Sequence, residues 1–585
     1  MRGPPVTAID PAPTVERDTK PVKRIKAIQA VLSLFAVVIV GQLVRVQVID
    51  RRSYMEEMAE GLPGLRQVPS QRGAILDRNG AYLALNNYDF RIEAAPNQIP
   101  DDETARVVTA LAEVLHLPRE ELQAKLEGDA KWAQISPQVS RDEGKAVDAL
   151  RLPGIQAIPM VIRVYPESNL AARLLGFVAA DGKGYYGVEG FYDSVLRGEA
   201  GMRNDRWNPW SEPVSFTDRR ARSWKLPEEG HTLVLTIDRN IQYLVEQELE
   251  NAVQEYGAEK GCIVVMDPTT GALLAMASYP TYDPNHYAQS DSALFVDPIV
   301  GEQYEPGSVF KIVTMGAALD TGTVQPSDVY NDVGYIEVGG RILRNWDDQA
   351  YGPTTMMDVM VHSLNTGMAH VSTLLGPSRF YQYVDRFGFG RKTGIDMQGE
   401  AAGIVREQGD PEWYESDLGT NAFGQGLAVT PLQMVLAAGV VANHGFLMQP
   451  YVVQQMIDGG QVVNAKPVTV RQVISEETAR TLTEMMVQVI ERSAVQARVE
   501  GYRIAGKTGT AQTPIVGGYD PSLTIASFIG FAPVEDPKFV VLVKLDKPTS
   551  TPWAATTAAP TFANVARILF THLAIPPSQA KLAER

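Results

Sequence analysis

Between Ala27 and Val44 eighteen consecutive residues carry no charge. With Ile25 and the flanking Lys26 and Arg45, such a run covers about 30 Å of hydrocarbon as a helix, which divides the chain into a short tail and a long body. The run is longer than the apolar region of a signal peptide, and it continues into Gln42-Leu43-Val44-Arg45-Val46-Gln47 without a small-x-small cleavage site. It is therefore read as an uncleaved anchor over residues 27–47. Six Lys or Arg precede it and three follow soon after, so the positive-inside tendency puts residues 1–26 in the cytoplasm and the body outside.

That body is long enough for two or three domains, and 45% hydrophobic content suits large cores and excludes a disordered chain. The formal charge of -16, from 69 acidic against 53 basic residues, argues against nucleic acid as a partner, which usually requires a basic face. A single cysteine, Cys262, forbids an intramolecular disulfide, and its setting Gly-Cys-Ile-Val-Val-Met reads as a packed strand. His362 and His370 stand eight apart, which fits no usual zinc spacing, so neither a metal nor a cofactor is implied.

Ile75-Leu76, the turn around Asn79-Gly80 and Tyr82 to Leu85 carry a hairpin signal. Residues 101–150 read as short helices, Arg163 to Pro166 as the start of an extended segment, Gly187 to Tyr192 as a helix opening, and 198–222 as loop or hairpin. Thr232 to Ile237 is a strand running into a helix from Arg239 to about Glu255 with Asp238 as its cap. The main boundary is set near residue 228. Cys262 to Met266 and Ala272 to Ala277 flank a tight turn, as two antiparallel strands would. Helices are expected to dominate from there to about residue 500. Ile525 to Phe531 and Phe539 to Lys544 then complete the sheet, and Pro560 to Leu573 forms a last helix. The expected order is a cytoplasmic tail (1–26), an anchor (27–47), an elongated mixed α+β pedestal of the dimerisation type (48–228), an α/β domain with an antiparallel sheet flanked by helices (229–575), and a polar tail (576–585).

Within the second domain, Glu305-Pro306-Gly307-Ser308-Val309-Phe310-Lys311 sets a hydroxyl and an amine one helical turn apart, ahead of an apolar run that ends near Gly322. A serine so placed can bond to a lysine whose uncharged form is favoured by burial, which makes Ser308 a candidate nucleophile. Ordinary usage yields on the order of one or two S-x-x-K matches by chance in such a length. The other match, Ser578 to Lys581, sits in a polar stretch where no burial is expected. Ser363-Leu364-Asn365 offers a hydroxyl and an amide two apart, able to relay a proton and hold a peptide amide. Lys-Thr-Gly occurs twice. Lys392-Thr393-Gly394 precedes an acidic loop, whereas Lys507-Thr508-Gly509-Thr510 follows Ala505-Gly506, small residues that admit a ligand backbone. Lys507 with the hydroxyls of Thr508 and Thr510 would make a carboxylate pocket, and the Thr510 N–H would help stabilise an oxyanion.

In this order, Ser308-x-x-Lys311, Ser363-x-Asn365 and Lys507-Thr508-Gly509 resemble the signature of penicillin-binding proteins and serine β-lactamases. Leu364 replaces the acid of the usual middle motif. Arg72-Gly73 to Asn79-Gly80, Arg163-x-Tyr165-Pro166, Gly187-x-Glu189-Gly190, Gly424-Gln425-Gly426-Leu427 with Val429-Thr430-Pro431, and Phe528-x-Gly530-Phe531-Ala532-Pro533 narrow the likeness to class B penicillin-binding proteins, over roughly residues 25–575. The resemblance implies a non-catalytic pedestal and a serine D,D-transpeptidase that cross-links peptidoglycan stem peptides ending in D-Ala-D-Ala and is captured by β-lactams. In it Ser308 is the nucleophile, Lys311 the base, and Ser363 the proton relay to the leaving nitrogen. Asn365 holds the substrate backbone, Lys507, Thr508, Gly509 and Thr510 receive the terminal carboxylate, and the N–H groups of Ser308 and Thr510 form the oxyanion hole. It also implies a membrane-borne SEDS-type glycosyltransferase of the FtsW or RodA class as partner, among other divisome or elongasome proteins. Competing readings are a D,D-carboxypeptidase or β-lactamase, for which no glutamate motif is evident, and an idle β-lactam-binding scaffold or sensor. Tyr304 to Ser308 and Ala559-Pro560-x-Phe562 lean toward division proteins, and Asp77 to Gly80 with Leu83 to Asn86 toward elongation ones.

Overall fold

The computed structural model describes residues 65–68, 70–128, 130–204, 227–515 and 518–578, with six further positions between 34 and 45. The expected cytoplasmic tail and most of the anchor lie outside the described residues, and among the described residues no helix is long and apolar enough to cross a membrane. Contacts divide the chain into two units, one of residues 1–70 with 199–228 and one of 71–198 with 229–585. The smaller contains the antiparallel pair Leu65–Val68 and Gly201–Asn204.

In the larger unit five antiparallel strands form the central sheet, in the order Leu273–Tyr279, Lys260–Met266, Phe539–Asp546, Gly518–Ala532, Ala505–Ile515. Every residue of Phe539–Asp546 is buried, so both faces of the sheet are covered. One set of helices, Arg239–Tyr256 and Ala558–His572, packs on the sheet and on each other, and a second set comprises Lys311–Asp320, Pro431–Ala442 and Glu476–Arg492. All twelve residues of Pro431–Ala442 are buried, as a helix apolar on every side requires. Its start is defined by a reciprocal capping box between Thr430 and Gln433. Asp238 caps Arg239–Tyr256 as expected, accepting from the N–H groups of Asn240 and Ile241.

A seven-stranded sheet joins Ile75–Leu76, Tyr82–Ala94, Ala133–Val139 and Ile155–Val164 to Thr232–Leu235, Val453–Asp458 and Gln461–Asn464. Strands from both sides of residue 228 share it. The Asn79-Gly80 hairpin is present, with Asp77 accepting from the N–H groups of Asn79 and Ala81. Three short helices, Thr104–Leu115, Arg119–Leu126 and Arg141–Ala149, close a separate apolar core around Ile92 and Leu111. Arg163 stands near the end of the strand Ile155–Val164 instead of starting one. Its guanidinium pairs with Glu189, which is fully buried and also pairs with Arg72. Helices supply most of the regular structure up to residue 500, as expected, but strands Val329–Asp332, Tyr335–Val338, Arg341–Arg344 and Gly352–Thr355 also pair within it, as do Phe446–Met448 and Thr469–Gln472. The Gly339-Gly340 turn, with φ of +56° and +78°, was the overlooked signal, since two left-handed residues are what a tight hairpin needs.

Candidate active site

Ser308 lies in the 3-10 turn Gly307–Phe310, which runs directly into the helix Lys311–Asp320. The hydroxyl is partly exposed, whereas Lys311 is fully buried. Lys311 does not spend its hydrogen bonds on Ser308. Its Nζ donates to the Ser363 carbonyl at 2.6 Å and to Asn365 Oδ1 at 2.8 Å, and Ser363 Oγ lies 3.3 Å away.

Ser363 sits between the helices Met356–Val361 and Asn365–Arg386, in the left-handed region at φ +56°. Such a conformation costs about 1–3 kcal/mol for a non-glycine residue and persists only where its surroundings over-determine it. Leu364 is completely buried, so the residue replacing the usual acid belongs to the core and leaves Ser363 and Asn365 in the cleft.

On the opposite wall, the strand Ala505–Ile515 carries Lys507, whose Nζ donates to Ser363 Oγ at 2.9 Å and to the Thr508 carbonyl at 3.1 Å. Gly509 is where that strand meets the serine turn: a Cβ there would stand 2.9 Å from Val309 and 3.0 Å from the Pro306 carbonyl. Thr510 Oγ1 accepts from the Ala554 N–H at 3.2 Å. Hydrogen bonds and the close approach at Gly509 thus bring together the three separate segments that carry the eight candidates, with the Ser363 hydroxyl between two amines. The decoys separate physically. Lys392 is exposed, and Thr393 is held in a loop by Glu400. Ser578, contrary to expectation, is buried, with its hydroxyl on Glu535, while Lys581 lies outside the described residues.

Residues 261–567, more than half of the chain, match the family model of the penicillin binding protein transpeptidase domain. The chain belongs to the penicillin-binding proteins. Residues 67–235 match the penicillin-binding protein dimerisation domain, and the relatives are of class B. Stage V sporulation protein D of Bacillus subtilis is 35% identical over 573 residues, covering 94% of this chain and 87% of the relative. The peptidoglycan D,D-transpeptidase FtsI of Escherichia coli is 31% identical, with 87% and 85% covered. Among solved structures, penicillin binding protein 3 from Mycobacterium tuberculosis aligns over 88% of this chain and 98% of its own, with a TM-score of 0.68 and 28% identity.

In this penicillin-binding protein, among the described residues, neither cleft lysine has a carboxylate partner, which decides their charge. Burial, and after it the like charge of Lys507, holds Lys311 well below the usual lysine range. Burial pushes Lys507 down to about 7. An amine that is neutral at working pH can take a proton from a hydroxyl, which a charged one cannot. The same shift makes a stability prediction. Between about 7 and the ordinary 10.5 the folded Lys507 binds fewer protons than the unfolded one, so stability rises with pH through that window. Lys507→Met removes this contribution. Its melting temperature should exceed that of the parent by a few degrees more at pH 6 than at pH 9, and an equal difference at both pH values would contradict the neutral amine.

The residues that hold the second motif escaped the sequence reading. Asn345 Oδ1 accepts from the N–H groups of Asn365 and Thr366 at 3.1 and 3.3 Å, Asn365 Nδ2 donates to the Arg344 carbonyl at 3.2 Å, and Trp346 Nε1 donates to the His362 carbonyl at 3.3 Å. Gly424 likewise abuts the serine turn, its carbonyl accepting from the Gly307 N–H at 3.0 Å.

Proposed function

We infer that this penicillin-binding protein is a peptidoglycan D,D-transpeptidase that works through a serine acyl-enzyme. The observation that carries the reading is the Ser363 hydroxyl held between two buried amines, 2.9 Å from Lys507 and 3.3 Å from Lys311, beside the Ser308 turn. Ser308 Oγ attacks the carbonyl of the penultimate D-Ala as Lys311, in its neutral form, takes the hydroxyl proton. The tetrahedral oxyanion faces the N–H groups of Ser308 and Thr510. Collapse breaks the amide bond, with the proton reaching the departing D-Ala nitrogen through Ser363. An amine of a neighbouring strand then attacks the Ser308 ester, and the same groups run in reverse to restore the serine. Asn365 has one Nδ2 proton engaged by Arg344, and the other remains for the peptide backbone. Lys507, Thr508, Gly509 and Thr510 form the edge that takes the terminal carboxylate.

The remaining assignments follow from sequence and kinship. Residues 27–47 anchor the chain as a single span with the N-terminus in the cytoplasm and the catalytic body outside. Residues 48–228 serve as the pedestal and 229–575 as the transpeptidase domain. A SEDS-type glycosyltransferase of the FtsW or RodA class supplies the glycan strands. Relatives named for sporulation and FtsI favour septal work.

Incubation of the full chain with a penicillin, followed by mass spectrometry, tests the reading. A stable adduct on the peptide containing Ser308, persisting over many minutes, is expected. Rapid release of hydrolysed penicillin would make the protein a hydrolase, and no adduct would leave it a scaffold.

A further inference from the structure

Asp332 and Asn345 close the base of the hairpin formed by Tyr335–Val338 and Arg341–Arg344, and both are buried, at 1% and 4% exposure. Asn345 Nδ2 donates to Asp332 Oδ2 at 2.8 Å and to the Gln349 carbonyl at 3.0 Å. The same carboxylate accepts from the N–H groups of Gly334 and Tyr351 and from the Thr366 hydroxyl at 2.9 Å. A buried carboxylate so fully satisfied is rigid, because each oxygen accepts two bonds and moving any partner costs one of them where no water replaces it. Asn345 is therefore fixed in orientation, with its Oδ1 turned toward the start of the helix Asn365–Arg386.

Three consecutive residues then grip the second motif. The Arg344 carbonyl takes the Asn365 side-chain amide, Asn345 takes the Asn365 and Thr366 N–H groups, and Trp346 donates to the carbonyl just before Ser363. The Asn365 amide is thereby fixed the right way round. Its Nδ2 must face a carbonyl, so its Oδ1 must face Lys311, at 2.8 Å. Without that constraint a half-turn of the amide would set two donors against each other. The left-handed Ser363 at φ +56° needs such restraint on both sides, and it receives it from Trp346 before and Asn345 after.

We propose that Asp332 and Asn345 are positioning residues for acylation: together with the flanking Arg344 carbonyl and Trp346 they form a clamp that sets the Asn365 amide and the strained Ser363 against Lys311. The inference rests on the acyl-transfer reading above. The clamp touches no reacting atom, and it acts by holding groups whose displacement by about an ångström lowers rates up to a hundred-fold.

The test uses the full-length chain in detergent and a fluorescent penicillin, resolving the saturable binding constant, the first-order acylation rate and the fraction labelled. For Asn345→Leu, which keeps the branching of the side chain but lacks the amide, the acylation rate should fall about ten-fold or more, with the binding constant within about two-fold of the parent. A residue with only a structural role would lower the labelled fraction and leave the rate of that fraction unchanged, and this result would overturn the clamp. Should Asn345→Leu fail to fold, Thr366→Val decides. It removes one hydroxyl that lies within bonding distance of both Asp332 and Asn345, and its acylation should be slower, by about three-fold or more; a parental rate in that variant overturns the proposal. A parent chain that does not label at all would instead refute the acyl-transfer reading.

Discussion

Replacing Lys311 by methionine is expected to slow acylation by a fluorescent penicillin about a thousand-fold or more, in a protein that still folds. Methionine fills most of the space of the lysine stem, and burying the amine was itself costly, as the depression of its pKa by burial records. The acceptors it leaves behind are partly provided for. Ser363 Oγ keeps Lys507, while Asn365 Oδ1 and the Ser363 carbonyl lose the amine. What is lost is the group that takes the Ser308 proton in the proposed mechanism. The pH dependence identifies it. With a parental lysine held well below its usual range, acylation should decline only as acid protonates it, and that acid limb should be absent from the residual rate of the variant. Labelling at the parental rate would remove Lys311 from the mechanism and leave Lys507, about 7, as the remaining cleft amine able to serve.

The candidate residues that the structure brings together were legible in the sequence because their spacing is dictated locally. Ser308 and Lys311 are one turn apart, Ser363 and Asn365 flank one helix start, and Lys507 precedes a glycine that admits a close neighbour. Which of two matching motifs mattered could be judged from the apolar context of each. That context failed at Ser578, which is buried by contacts with Glu535 that no neighbouring residue in the chain announces. Asp332 and Asn345 were illegible for a related reason. They act through hydrogen bonds to residues 19 to 34 positions away, and such bonds leave no periodic trace. The seven-stranded sheet was hidden differently: one of its members, Ile75–Leu76, is two residues long, far too short for alternation to register, yet it pairs with Thr232–Leu235 in parallel and Tyr82–Ala94 in antiparallel sense. A boundary near residue 228 reflects a real change in composition while the hydrogen-bonded sheet runs across it.

Gly424→Ala should cost about a hundred-fold in acylation, whereas Gly322→Ala should cost almost none. Both glycines have positive φ, +82° and +63°, so either alanine carries roughly 1–2 kcal/mol of left-handed strain. The surroundings differ. Around Gly322, at the end of the Ser308 helix, no heavy atom lies within 4 Å of an added Cβ. At Gly424 the Cβ would stand 2.2 Å from the Gly307 carbonyl oxygen and 2.7 Å from its nitrogen, and neither can swing aside as a side chain would. The main chain of one of the two segments must move by about an ångström to restore van der Waals contact. The two segments are also coupled at a second point, so neither moves alone. Gly307 is packed against Ala511, which a Cβ on Gly307 would approach to 3.0 Å, and the Gly426 N–H bonds to Glu305 at 3.1 Å. A shift at Gly424 therefore reaches Ser308 from both ends of Glu305-Pro306-Gly307. Comparing acylation rates and melting temperatures of the two variants separates strain from displacement: a small loss of stability in both, with a further loss and the rate defect confined to Gly424→Ala, is the expected pattern, and a parental acylation rate in Gly424→Ala would mean that the Ser308 turn is not held by this contact.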